Sequence, residues 1–365
     1  MLNVMTVKQR LWGIDLVRGI AIFGVIILHS DLGETDVSWT WLFIRDLFAF
    51  AVPFFLATSF YLTVSKSKKQ KLNFQLRLKR LLIPYFVWTL IYLVYKFSKY
   101  IVNGEFSRLN ELWQDPFKII FCGGAAFHLY FLPLLIFGIL IIKIMEVTGI
   151  KKLWTFSNVT VALFVCLLAY ELSRFSNNAF DIEAATAFNN LSQIFLEPGI
   201  RSVLLRLALV SLGFALWCLP YILMAILLNI NYINKLMYDL KTVTIIGLLV
   251  VFLGLSFSDT LYRPTATSEL FRGYIALILG INASKYLKKN NLIANLSACS
   301  FGIYFIHLIF VELSYIVGDR LVPNMFNSPS TALFIAIALI SLGFSWLATN
   351  ILLGYKAYSK WLFGV

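Results

Sequence analysis

Apolar runs of about twenty residues, the length a helix needs to cross about 30 Å of hydrocarbon, recur along this 365-residue chain, with short polar or basic stretches between them. Their spacing predicts ten membrane helices, over 11–30, 43–64, 80–98, 128–146, 153–170, 204–227, 242–257, 269–286, 296–317 and 331–353. No polar block between them is long enough to make a separate soluble domain. The chain therefore reads as an all-α polytopic membrane protein, one membrane-embedded domain over residues 1–365. The first apolar run follows Lys8 and Arg10, as a secretion signal would, yet it contains Asp15 and Arg18 and lacks a small-residue cleavage site. It is read as a retained first helix. Segments Leu109 to Ile120 and Ala184 to Leu196, in the long connections 99–127 and 171–203, mix apolar and polar positions. They are predicted to form short interfacial helices, candidate acceptor-binding lids.

Composition agrees with the pattern: 60% of residues are hydrophobic, 13% are charged, and the mean hydropathy is +0.81. These values exclude a soluble globular domain. The net charge of +13 would suggest a nucleic-acid partner in a soluble protein, but here topology explains it. With ten crossings and the N-terminus inside, the cytoplasmic segments hold eighteen Lys or Arg, and the outer connections fewer than half as many. The positive-inside rule then places both termini in the cytoplasm; a multi-pass place in the cell (inner) membrane is expected, with the bilayer and no nucleic acid as partner. Cys122, Cys166, Cys218 and Cys299 show no metal-type or redox-type spacing, so neither disulfides nor cysteine chemistry is expected. No internal repeat of the transporter kind is evident.

Ionisable residues inside apolar helices are costly and mark functional sites. Arg18 and His29 lie eleven positions apart in the first apolar run. At 100° per residue that is close to three full turns, which puts both on one helix face roughly 16 Å apart. The chain has three histidines, His29, His128 and His307, all in or at the ends of membrane segments. Three helices thus offer imidazoles to one outer region; His128 reads equally as an interfacial residue, whereas His29, sharing a face with Arg18, reads as functional. A histidine is a natural base for a hydroxyl nucleophile, because its ordinary pKa of about 6.5 leaves it mostly neutral at pH 7. No Gly-x-Ser-x-Gly elbow is present, and the scattered histidines give no metal-ligand spacing. No metal is expected.

A second cluster is basic. Lys66, Lys68, Lys69 and Lys71 read as anchors to anionic lipid. Arg77 and Arg80, at i and i+3 where the next helix enters the bilayer, suit either anchoring or a bidentate grip on phosphate. Asp15–Arg18, Arg45–Asp46 and Glu269–Arg272 read as local structural pairs, Arg206 stands early in its helix, and Glu312 follows His307 by five residues as a possible cavity residue.

Together these blocks resemble the acyltransferase family 3 membrane O-acyltransferases that modify bacterial surface glycans. The resemblance is carried by Arg18 and His29; Phe50-Ala51-Val52-Pro53-Phe54-Phe55-Leu56; Arg77 and Arg80; and Leu82-Ile83-Pro84-Tyr85-Phe86-Val87-Trp88. It continues with His128-Leu129-Tyr130-Phe131-Leu132-Pro133 and Ser300-Phe301-Gly302-Ile303-Tyr304-Phe305-Ile306-His307, in the family's order. One departure is Thr58-Ser59-Phe60-Tyr61, where the family usually carries a glycine after the serine. The resemblance implies about ten membrane helices, acyl-CoA (usually acetyl-CoA) as cytoplasmic donor, and a glycan or lipid-linked saccharide hydroxyl as acceptor on the far side. It implies His29 as catalytic base with His128 and His307 in support, Arg18 beside the donor, and Arg77 with Arg80 on the CoA phosphates. Direct transfer and an acyl-histidine intermediate both fit. A glycan transporter or exporter, whose path the same ionisable residues would line, is the alternative.

Overall fold

The structure, a computed structural model, describes residues 10–70, 72–149, 154–175, 200–262, 265–326 and 329–365. Among the described residues it is helical, with no strand. In chain order the helices are α1 (Trp12–Ile27), α2 (Trp39–Phe48), α3 (Ala51–Lys69), α4 (Phe74–Val102), α5 (Phe106–Gln114), α6 (Pro116–Phe121), α7 (Phe131–Val147), α8 (Phe156–Phe175) and α9 (Ile200–Leu228). They continue with α10 (Asn231–Tyr238), α11 (Thr242–Leu261), α12 (Ala266–Ala283), α13 (Asn291–Leu321), α14 (Pro323–Phe326), α15 (Thr331–Gly354) and α16 (Lys356–Phe363).

Among the described residues, eight helical stretches are long and apolar enough to cross a membrane: Trp39–Lys69, Phe74–Val102, Phe127–Val147, Phe156–Arg174, Val203–Leu228, Thr242–Leu261, Asn291–Leu321 and Thr331–Gly354. The two remaining predicted spans form α1 and α12. At 1.5 Å per residue, the 16 residues of α1 cover only about 24 Å, and α12 carries Glu269, Arg272 and Asn282. Both are largely buried by their neighbours. The predicted helix over 43–64 is two helices: α2 ends at Phe48, capped by Ala49, and α3 begins at Ala51. Pro53 explains the break, since it has no amide hydrogen and sits in the first turn of α3, where none is needed.

The helices make two compact units, each discontinuous in sequence: residues 1–58 with 231–352, and residues 59–230 with 353–365. In the first unit α1 packs against α12 and α13. The α1–α12 crossing is close because it is built on Gly13 and Gly280: a Cβ on Gly13 would strike the Gly280 carbonyl, and the Gly13 amide donates to Ser284 Oγ at 2.9 Å. In the second unit α9 packs on α7 and α8, while α4 packs on α7 and α16. Here Trp217 of α9 stacks with Tyr130 at 5.8 Å and with Tyr170 of α8 at 6.1 Å. On the outward sides of α8 and α11, Val161, Phe164, Val165, Val243, Ile246 and Val250 stand exposed. Such faces suit lipid.

Of the two predicted interfacial segments, Leu109 to Ile120 forms α5 and α6. Asp115 separates them as the N-cap of α6, accepting the Lys118 amide at 2.9 Å ahead of Pro116. Ala184 to Leu196 lies outside the described residues.

Candidate functional site

The first apolar run is helical only to Ile27, where the chain leaves the α-helix in i to i+3 turns: the His29 amide donates to Ile26 O and the Ser30 amide to Ile27 O. His29 thus sits two residues past α1, in a tight turn that closes with Leu32 and Gly33 at positive φ, 48° and 87°. Three contacts fix this turn. Ser30 Oγ donates to Ile26 O at 2.7 Å, Tyr315 of α13 donates its hydroxyl to Ser30 O at 2.8 Å, and the fully buried Trp41 of α2 donates Nε1 to Asp31 Oδ2 at 2.8 Å. Arg45 adds an ion pair to Asp31 at 3.6 Å.

Opposite the turn stands His307 of α13, with none of its surface exposed. The two imidazoles stack with ring centroids 5.4 Å apart and planes 24° from parallel. His307 Nδ1 lies 2.7 Å from Tyr304 O. A carbonyl only accepts, so Nδ1 carries a proton. The buried imidazole pair is thus oriented by α13 on one side and by the clamped turn on the other.

Further down α1, Arg18 Nη1 reaches Ser297 Oγ at 3.4 Å. The expected Asp15–Arg18 pair is replaced: Asp15 accepts Arg10 Nε at 2.5 Å and the Ser297 hydroxyl at 2.6 Å. Arg10 extends back alongside α1 to meet Asp15, and Ser297 of α13 bridges Asp15 to Arg18. Beside this network α1, α13, Phe48 and Leu342 line an open apolar groove of about 240 Å³, with Gly19 and Leu296 in its wall.

The other local pairs are also re-partnered. Arg272 pairs with Asp259 of α11 at 2.5 Å instead of settling with Glu269, and donates to Asp46 O at 2.7 Å. Ser268 completes this buried knot by donating to Asp259 at 2.8 Å. Arg45 turns to Asp31, away from its neighbour Asp46. Sequence neighbours lose to partners across the helix interface because burial rewards a desolvated, multiply bonded geometry that i, i+3 spacing cannot supply. Trp41, Asp31 and Tyr315, which hold the His29 turn, were not singled out by sequence reasoning. Nothing in a one-dimensional pattern links positions 31, 41 and 315.

In the second unit Arg77 and Arg80 occupy the first two turns of α4, which begins six residues earlier than the predicted span. Neither forms an ion pair among the described residues; Arg80 is exposed and Arg77 half-buried. The neighbouring cations have other duties: Lys68 donates to Asn229 O, and Lys143 pairs with Glu146 at 3.6 Å while lying over the Phe74 ring. His128 also belongs to this unit. It is buried, with the Tyr92 ring edge-on at 5.2 Å. Arg206 makes a bidentate pair with Asp115 at 2.8 and 2.6 Å. Burial would raise the Asp115 carboxyl, but the Arg206 bonds and the Lys118 amide outweigh it and hold it below the usual carboxylate range. Glu312 is half-buried on α13. All four cysteines are free, and burial pushes the Cys122 thiol up to about 11.

The described residues thus form a multi-pass helical membrane protein with a stacked, buried histidine pair beside a clamped turn in one unit and, in the other, two arginines with no ion-pair partner among the described residues. A family model described as an acyltransferase domain matches residues 11–350, and the chain belongs to this family, acyltransferase family 3. The chain is also similar to an amino-acid racemase from Enterococcus faecalis, 29% identical over 135 residues. That match covers 37% of this chain and 18% of the racemase, so the chain spans less than a fifth of that relative's length. No solved structure matches the chain.

Proposed function

We propose that this membrane acyltransferase moves an acyl group, most simply acetyl, from cytoplasmic acyl-CoA to a hydroxyl of an extracytoplasmic glycan, with both of its termini in the cytoplasm of the producing cell. The observation that carries the reading is the His29–His307 stack at 5.4 Å on a turn clamped by Trp41 and Tyr315. His29 takes the proton of the sugar hydroxyl as its oxygen attacks the thioester carbonyl. The carbon–sulfur bond then breaks, and the CoA thiolate leaves with the proton that His29 returns. His307 holds the His29 ring in place by stacking against it. Arg77 and Arg80, without carboxylate partners among the described residues, are the grip on the CoA phosphates. Arg18 is the pore residue close to the donor, and His128 is a supporting residue.

The test is thiol release from acetyl-CoA by protein purified into liposomes, with and without an added saccharide acceptor. Wild type releases CoA, and His29→Ala, at equal folded content, loses at least about a hundredfold of that rate, as removal of a general base does. Unchanged turnover in the variant overturns the assignment of His29. No CoA release by wild type under any acceptor would favour a glycan carrier.

A further inference from the structure

The family match ends at residue 350, yet the chain beyond it folds back onto α4. α16 packs along α4 in the second unit: Ser359 and Phe363 are buried, while Tyr355, Tyr358 and Trp361 are each more than half exposed. Aromatic rings at i, i+3 and i+6 on a helix laid against a membrane-crossing helix are suited to the headgroup layer. Two contacts fix the end of α16. Trp88 Nε1 donates to Leu362 O at 2.9 Å, and Gly364, left-handed at φ 69°, comes so close that a Cβ there would overlap the Arg80 carbonyl.

Arg80 is a particular place to touch. Pro84 lies inside α4, so the Arg80 carbonyl, four residues earlier, has no amide hydrogen to accept and is pushed aside by the proline ring. Gly364 seats its backbone against that carbonyl, and the Trp88 bond to Leu362 lies one turn beyond the proline. The α4 backbone around Pro84 is thereby contacted from outside the helix, at Arg80, whose side chain is exposed.

We propose that α16 and Gly364 are a brace that positions Arg80 for the CoA phosphates, with Gly364 and Trp88 as positioning residues; this rests on the donor role given to Arg80 above. The experiment measures KM and kcat for acetyl-CoA, and the binding of CoA against 3′-dephospho-CoA, in full-length protein in liposomes carrying Gly364→Val, Trp88→Phe or Arg80→Ala. The expected result is that Gly364→Val and Trp88→Phe raise KM about tenfold with kcat held within about twofold. They also shrink the preference for CoA over its dephospho form, as Arg80→Ala does. If Arg80→Ala weakens CoA binding while both brace variants bind and turn over as wild type, the brace is wrong and the donor site stands. If Arg80→Ala leaves CoA binding unchanged, the donor role falls and the brace with it. Should Gly364→Val fail to fold, Trp88→Phe, which removes one hydrogen-bond donor and keeps an aromatic ring, decides alone.

Discussion

The Asp259–Arg272 pair offers the sharpest physical prediction, because it separates charges that hold the fold from charges free to act. Arg272 has none of its surface exposed, pairs with Asp259 at 2.5 Å and donates to Asp46 O at 2.7 Å. Asp259→Asn removes the negative charge and leaves the guanidinium buried without its counter-ion. Breaking a buried pair in this way costs about 3–5 kcal/mol, a large part of the roughly 5–15 kcal/mol that holds a typical domain together. Removing both charges with Asp259→Leu and Arg272→Met takes away the desolvation cost along with the attraction. The double variant is then within about 2 kcal/mol of wild type, or more stable. Chemical denaturation in mild detergent, followed by tryptophan fluorescence across wild type, Asp259→Asn, the single variants Asp259→Leu and Arg272→Met, and the double, closes the cycle. A single variant as stable as wild type, or a double variant at the sum of the two singles, would refute the reasoning.

Two further perturbations follow from the same geometry. Trp41→Phe deletes the donor to Asp31 Oδ2, a bond to a charged group worth about 1.5–3 kcal/mol; the His29 turn loosens, and kcat for acyl transfer falls about tenfold with KM for acyl-CoA unchanged. An unaltered kcat in steady-state thiol-release assays would show that the clamp does not serve His29. The Asp115 carboxyl is held below its ordinary range by Arg206, so its stabilisation is complete above the unfolded carboxylate pKa of about 3.9 and is lost as pH falls through the lower folded value. Asp115→Asn therefore lowers stability at neutral pH by roughly 1 kcal/mol, the pair being partly open to solvent, and flattens the acid limb, and parallel acid limbs for the two proteins would contradict the pair.

Much of the fold was legible because membrane helices announce themselves by length and hydropathy, and eight of the ten predicted spans qualify on that ground alone. α1 and α12 show where that logic fails. They are short or polar, and buried by helix packing at Gly13 and Gly280, so their place is set by close backbone approach that hydropathy does not encode. Helix periodicity placed His29 on the face of Arg18, but the helix stops at Ile27, and the histidine is held by a turn. His29 and His307 meet although 278 positions separate them; the sequence marks both as costly residues in apolar helices without saying that they touch. Local charge pairing was misread at Asp15, Arg45 and Arg272 for one reason. Buried ions choose partners across helices, and sequence spacing sees only the neighbours on the same helix.

The central claim, that the protein places an acyl group on a glycan hydroxyl through His29, is tested most directly by mass spectrometry of surface glycans. The comparison uses cells that carry the protein, cells that lack it, and cells restored with His29→Ala. The account predicts glycan species heavier by one acyl group in the first alone. Identical spectra in all three, or full acylation with the alanine variant, would contradict it.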